Sequence, residues 1–410
     1  MPQTYRVTRG PSGSGASPSG GPASTRGGTP DGEAPLRLGR RVTLYVCGIT
    51  PYDAAHIGHA FTYVAFDTLT RFLRGRGHEV AYCQNVTDVD DDVLRRAARD
   101  GEDYLELGRR ETAAYLEDMD ALNIARPDFF PKATEEIPAM LELAGQLVSG
   151  GNAYVVDGTV FFDVTSYPGF GELSGLSPAD QHDLLAERGG DPGDPRKRHP
   201  LDFVVWQRSQ PGEPWWDSPW GRGRPGWHLE CSAMSRHYLG ITIDLHGGGA
   251  DLLYPHHESE RAQSESANQA PFARRWLHTG MVRYQGEKMS KSLGNLVFPR
   301  DLFRDHEPAA VRLVLLAHHW RSAWEWDAAE LKEAADRLSA WRQACGQPHA
   351  ALPAVGAGVR LPDAVDAALA ADLDTPAALA AGDELAERGD GPGVAATAAV
   401  LGVDLAARAS

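Results

Sequence analysis

The stretch Leu44-Tyr-Val-Cys-Gly-Ile-Thr-Pro-Tyr-Asp-Ala-Ala-His-Ile-Gly-His-Ala60 constrains the fold more than any other in the chain. Leu44, Tyr45 and Val46 read as a short buried strand, and Cys47 stands where that strand ends, a position suited to a metal ligand. A proline-containing turn follows, and His56-Ile57-Gly58-His59 opens a helical pattern. Strand, turn and helix start make the usual phosphate-binding arrangement of an open α/β sheet, where ligands sit beyond the carboxyl ends of the strands. Gly58 lets backbone approach a nucleotide closely, while His56 and His59 offer two imidazoles one turn apart to phosphate oxygens. An ordinary strand-loop-helix with two surface histidines also accounts for this stretch taken alone.

The pattern continues in the same alternation. Apolar spacing predicts a helix over 58–76, ended by Gly77. A strand is expected over 78–85, with Asn85, Val86 and Thr87 at its carboxyl end, and a helix over 91–120. Residues 120–222 change character: a helix over 135–149, strands around 153–164, then irregular Pro/Gly-rich sequence, all read as an insertion. The sheet is expected to resume at Gly226–Cys231, followed by a helix over 231–239, a strand over 241–246, a glycine turn and a strand over 276–283. Residues 307–345 read as helical. The expected divisions are a disordered tail (1–38), two halves of the catalytic domain (39–119 and 223–300), the insertion (120–222), a helical domain (301–345), a linker (346–362) and C-terminal helices (363–410). The Gly/Ser/Pro-rich tail cannot bury enough apolar surface to offset ordering entropy.

Composition narrows the classes. With 410 residues, 42% of them hydrophobic, the chain has room for two to four domains and a sizeable core. No run approaches the roughly 18 apolar residues of a membrane span, and no signal-type apolar segment opens the chain, so a cytoplasmic protein with no membrane partner is expected. The formal net charge of −16 argues against a broad nucleic-acid footprint. Four cysteines (Cys47, Cys83, Cys231, Cys345) in a chain of this size point to metal or core roles rather than disulfides.

Two constellations carry chemistry. Cys47, Cys231, His256 and Glu260 each fall at a predicted strand end or helix start on one edge of the sheet. His256 and Glu260, four apart, share a helix face. Two thiolates, an imidazole and a carboxylate form a tetrahedral zinc set; the bland alternative is a pair of small buried cysteines. Cys47, Cys231 and His256 are the expected ligands, with Glu260 left open. The second constellation is Lys288-Met-Ser-Lys-Ser292, a loop between Gly286 and Gly294. Its two lysines suit a pyrophosphate leaving group, whose transition state is stabilised by positioning and positive charge; the alternative is a solvated basic loop.

His56-Ile-Gly-His59 taken with Lys288-Met-Ser-Lys-Ser292 resembles the class I aminoacyl-tRNA synthetases. Tyr45-Val-Cys-Gly48, Trp227-His-x-Glu-Cys231 and Pro255-His-His-Glu258 narrow the resemblance to the cysteinyl-tRNA synthetase lineage. Within it, roughly residues 40–400 are most similar to the cysteine ligases of mycothiol biosynthesis. Cys47-Gly-Ile-Thr-Pro-Tyr-Asp53, Glu187-Arg-Gly-Gly-Asp-Pro192, Gly286-Glu-Lys-Met-Ser-Lys-Ser292 and Ala317-His-His-Trp-Arg with Trp324-Glu-Trp326 look like the ligases. So does the shortness of the 118 residues that follow Ser292. Cys231-Ser-Ala-Met-Ser235 and His256-His-Glu-Ser-Glu260 look more like the synthetases, which leaves Glu260 as fourth ligand in doubt.

The resemblance implies an α/β fold of Rossmann-like (HUP-type) parallel-sheet form, with an inserted α+β subdomain and a C-terminal helical region. It implies an ATP-dependent, AMP-forming amide ligase that makes cysteinyl-adenylate and passes the cysteine to the amine of glucosaminyl-inositol. His56, His59, Lys288 and Lys291 would act on the phosphates, Lys291 also binding ATP. The adenylate would be held by Cys47, Gly48, Ile49, Thr50, Thr62, Asn85, Val86, Thr87, Trp227, Gly249, Ala250, Asp251 and the backbone of Val282. One Zn²⁺ per chain and Mg²⁺ with ATP are expected, with L-cysteine, ATP and glucosaminyl-inositol as partners, no tRNA, and a monomer. The alternatives are a short cysteinyl-tRNA synthetase, a paralog adding cysteine to another amine or a carrier protein, and an inactive zinc-containing partner.

Overall fold

A computed structural model describes residues 3–5, 36–289, 294–346 and 360–406. Its centre is a four-stranded parallel sheet in the order Ala273–Thr279, Ile243–Gly249, Arg41–Ile49, Glu79–Val86. Arg41–Ile49 is flanked on both sides, and Val42 through Val46 are buried without interruption. That continuous run is what a strand covered on both faces requires. The helix Ile57–Gly75 packs against the sheet and against Pro308–Leu316 beyond it. Of the stretch expected as a tail, Gln3–Tyr5 pairs antiparallel with Leu36–Leu38; the residues between lie outside the described ones.

Several boundaries differ from the sequence expectations, each for a local reason. Gly226–Cys231 is not a strand: Trp227–Leu239 is one helix, because Leu229, Ala233 and Met234 bury at helical spacing. Gly226 is its N-cap, and a Cβ there would lie 2.2 Å from the Val204 carbonyl oxygen. The strand expected over 276–283 breaks at Gly280, where a Cβ would stand 2.1 Å from the Ser322 oxygen. Val282–Tyr284 instead joins a small sheet with Glu287–Lys288 and Trp324–Glu325. That third strand also divides the helical stretch into Pro308–Leu316 and Glu330–Cys345. The helix expected over 91–120 is two, Asp91–Asp100 and Tyr104–Ala121, parted at Gly101 with φ 69°. The insertion is more regular than its composition implies. It holds the helix Pro178–Glu187 and three strands (Ala153–Val156, Thr159–Phe162, Phe203–Arg208), which Gly223–Pro225, just past its expected end, completes as a four-stranded antiparallel sheet.

One buried ion pair joins the helix Ile57–Gly75 to the helix Pro308–Leu316. Asp67 and Arg312 are 2% and 0% exposed and pair directly. Arg312 spends its other donors on the carbonyls of Leu401 (2.7 Å) and Leu122 (2.9 Å), and Asp67 accepts from the Ala125 N–H at 3.0 Å. Burial raises the Asp67 pKa, but Arg312 and Arg71 outweigh it and hold the carboxyl below its usual range.

Asp67→Ala and Arg312→Ala should each destabilise the protein by about 3–5 kcal/mol, since each leaves a buried charge uncompensated. Chemical denaturation of the two single variants and the double variant should show strongly non-additive losses. Because the folded Asp67 pKa is depressed, its contribution is complete above the unfolded value of about 4 and is lost as pH falls through the folded value. The gap between wild type and Asp67→Asn should therefore narrow in acid.

Candidate active site

One cavity of about 530 Å³ opens where the carboxyl ends of the three strands Arg41–Ile49, Glu79–Val86 and Ile243–Gly249 meet the start of helix Ile57–Gly75. Cys47, Gly48, Thr50, His56, His59, Thr62, Asn85, Thr87 and Trp227 line it, as do Cys231, Gly249, Asp251, His256, Val282 and Lys288. Four expected residues do not reach its surface. Ile49 and Val86 turn their side chains into the core, where Ile49 meets the ligand edge only through its carbonyl, bonded to the Thr87 N–H at 2.8 Å. Ala250 is not among the lining residues although its neighbours Gly249 and Asp251 are, and Glu260 is wholly buried beneath the floor. Lys291 lies outside the described residues.

The two motif histidines cap their own helix. Nδ1 of His56 accepts from the Gly58 N–H at 3.1 Å, and Nδ1 of His59 accepts from the His56 N–H at 3.3 Å. This is a capping box built from imidazoles rather than from a hydroxyl and a carboxylate. With Nδ1 accepting, the neutral rings carry their proton on Nε2, the donor that phosphate oxygens require. The rings lie 4.1 Å apart between centroids. Gly58 has a reason beyond nucleotide approach: a Cβ there would stand 2.8 Å from Cε1 of His56.

At the other end, the Cys47, Cys231, His256 and Glu260 donor atoms all lie within 4.8 Å of one another, and all four residues are buried. Cys47 Sγ is 3.3 Å and His256 Nε2 2.9 Å from Glu260 Oε1. Tetrahedral bonds of zinc length place ligand atoms about 3.3–3.8 Å apart, so the set fits a zinc ion with little movement. Burial drives the Cys47 thiol up, with Cys231 and Glu260 adding to it. Cys231, also raised by burial, is pulled down to about 6 by Cys47 and His256. Burial lowers His256, but Glu260 and Cys231 carry it up to about 10. Neutral His228, pushed down to about 3 by burial and then by His256, faces His256 Nδ1 at 2.9 Å. That bond aims His256 Nε2 at the cluster, as partners behind a ligating histidine do.

Sequence reading missed His246, whose Nε2 lies 2.9 Å from Glu260 Oε2. Its place immediately before Gly247-Gly-Gly at a strand end was the available signal. Tyr52, Asp53 and Asp92 also line the cavity without having been singled out. Asn85, one of the lining residues, also braces the strand ends: its Oδ1 accepts from the Gly48 N–H at 2.8 Å and its Nδ2 donates to the Thr87 hydroxyl at 3.1 Å. Elsewhere around the cavity, Lys288 Nζ stands 4.0 Å from Asp251 Oδ2, and Asn295 Nδ2 donates to the carbonyls of Tyr284 and Lys288 at 3.2 Å each.

The family model described as tRNA synthetases class I (C) catalytic domain matches residues 35–336. The fold is shared with Mycobacterium tuberculosis methionyl-tRNA synthetase in complex with methionyl-adenylate (TM-score 0.56, 20% identity, 88% of this chain and 82% of that one). It is also shared with the Agrobacterium radiobacter K84 agnB2 LeuRS in its ternary complex with tRNA and LeuAMS (TM-score 0.60, 11% identity, 88% and 82%). Fold and site together therefore define a catalytic domain of the class I (C) synthetase type. Relatives from Thermobifida fusca (48% identity, 90% of this chain and 89% of the relative) and Parafrankia sp. (51%, 85% and 78%) are both L-cysteine:1D-myo-inositol 2-amino-2-deoxy-alpha-D-glucopyranoside ligases. The chain belongs to this ligase family.

Cys231→Ala should lose bound zinc, read by elemental analysis of the purified protein; full retention would refute the donor set. Gly58→Ala should leave the circular dichroism spectrum intact yet slow nucleotide chemistry about 10²-fold, the usual cost of a displacement near 1 Å.

Proposed function

We propose that the protein activates L-cysteine with ATP and joins it to the amine of the aminosugar-inositol named for its relatives, releasing AMP and pyrophosphate. The observation that carries this reading is the opening of a thiol-seeking donor cluster and a phosphate-facing pair of histidines into one cavity. In the first step the cysteine carboxylate oxygen bonds to the α-phosphorus and the bond to pyrophosphate breaks. His56 and His59, fixed as Nε2 donors by their capping bonds, stabilise the phosphate oxygens, while Lys288 takes charge from the loop side. Asp251 accepts from the nucleotide ribose. Mg²⁺ accompanies the triphosphate.

Cys47, Cys231 and His256, with Glu260 as the fourth donor, would hold one zinc ion. Zinc so held supplies a soft Lewis acid that takes a thiolate far more readily than a hydroxyl. Trp227, stacked on His256 at 4.0 Å and 21°, walls the side-chain end to a small volume. Selection at one specific bond reaches about 10⁴–10⁵ without an editing site, so serine is rejected on entry. In the second step the acceptor nitrogen attacks the adenylate carbonyl carbon, AMP leaves, and the nitrogen loses its proton.

Incubation with isotopically labelled cysteine, ATP and glucosaminyl-inositol should give a product of the amide's mass, together with AMP. Charging of tRNA with no such product would overturn the acceptor assignment in favour of a cysteinyl-tRNA synthetase. Cysteine-dependent ATP–pyrophosphate exchange should occur, should ignore serine, and should fall about 10²–10³-fold in His59→Ala, the range for losing one transition-state donor, with zinc content unchanged.

A further inference from the structure

Glu187-Arg-Gly-Gly-Asp-Pro192 takes no direct part in the chemistry above, yet its local structure is specific. It ends the insertion helix Pro178–Glu187. Gly189 adopts φ 84°, a left-handed conformation that glycine enters freely. The Gly190 N–H closes back on the Leu185 carbonyl at 2.9 Å. A Cβ on Gly190 would lie 2.5 Å from Leu185 Cδ1 and 3.0 Å from the Leu185 carbonyl oxygen, so a side chain there would crowd the turn. Asp191 Oδ1 then accepts from the Gly193 N–H at 2.9 Å, and the Asp191 carbonyl accepts from Lys197 Nζ at 2.6 Å. These residues make a rigid helix stop, and what the stop presents is Arg188.

Arg188 reaches out of the insertion into the catalytic domain. Its Nη1 donates to the backbone carbonyls of both Asp251 and Tyr254. Those carbonyls lie within the turn Ala250–His257, which runs from the end of strand Ile243–Gly249 to the metal-side histidines. Asp251 stands in the cavity, next to Gly249, where a Cβ would already lie 2.5 Å from the Asp251 carboxylate. The turn is therefore fixed at its base by the strand and from outside by one guanidinium.

We infer that Arg188 is a positioning residue: by gripping the Asp251 and Tyr254 carbonyls it sets the turn that aims Asp251 at the nucleotide sugar. The inserted subdomain thereby becomes part of the nucleotide site without touching the nucleotide. This assignment rests on the proposed role of Asp251.

The test uses the full-length protein and its Arg188→Ala, Arg188→Gln, Asp251→Asn and Arg188→Ala/Asp251→Asn variants. Cysteine-dependent ATP–pyrophosphate exchange, ATP binding by calorimetry, zinc content and Tm are measured on each. Both Arg188 variants should raise the KM and Kd for ATP about ten-fold or more, with KM for cysteine and zinc content unchanged. The double variant should be no worse than Asp251→Asn alone. Unchanged ATP parameters in the Arg188 variants, additive losses in the double variant, or zinc loss with a raised cysteine KM would each overturn the assignment. Should Arg188→Ala fail to fold, Arg188→Gln carries the comparison. Absence of exchange in the wild type would instead refute the proposed function, and the ATP affinities would still decide the role of Arg188.

Discussion

A carboxylate cut off from all solvent must be matched by charge and hydrogen bonds from its immediate neighbours. Glu260 is such a group, and its neighbours come from four separate parts of the chain. Cys47 lies near the end of the central strand, His246 in the strand beside it, His256 in the turn after that strand, and Cys231 in the helix Trp227–Leu239. Burial raises the Glu260 pKa, but His246 and His256 bring it well below the usual carboxylate value. Meeting this one anion's needs fixes how two adjacent strands, a turn and a helix end stand relative to each other. The floor of the cavity is preformed for that reason, and the selective end of the site has little freedom to adapt to a different side chain.

The phosphate end is built on another principle. There the positioning groups belong to a helix terminus, where backbone N–H groups lack partners and side chains usually supply them. His56 and His59 do this with one ring nitrogen each, Nδ1 in both cases. The helix start and the proposed phosphate clamp consequently draw on the same two residues. Replacing either ring removes a cap as well as the proposed phosphate donor, so losses of activity and of local order would be coupled at these positions.

Much of this was legible in the residues. His56-Ile-Gly-His59, Lys288 and the Cys47/Cys231/His256 set stand out because each needs a particular residue type at a strand or helix end, and a parallel sheet gathers such ends on one edge. The parts that misled did so through local ambiguity. Trp227-His-Leu-Glu-Cys231 is short and partly alternating, and only the buried spacing of Leu229, Ala233 and Met234 shows a helix. Gly280 reads as an ordinary strand residue until the Ser322 carbonyl is seen to occupy the space of its Cβ. Ile49 and Val86 fall inside motifs whose neighbours line the cavity, yet strand alternation turns them inward. His246 has only its place before Gly247-Gly-Gly to mark it, and the grip of Arg188 depends on a contact across 63 residues, which no local pattern announces.

The Asp67–Arg312 pair also has a bearing on how the molecule comes into being. Its partners are 245 residues apart, and at a ribosomal rate of about 5–20 residues per second the arginine follows the aspartate by roughly 12–50 s. Throughout that interval the helix bearing the two motif histidines carries a carboxylate shaped for a partner not yet made. Water, or the nearby Arg71 at 2.8 Å, must hold it meanwhile. The nucleotide-binding half therefore cannot reach its final packing as it emerges, and its completion waits for the helices that are translated after the loop lysines.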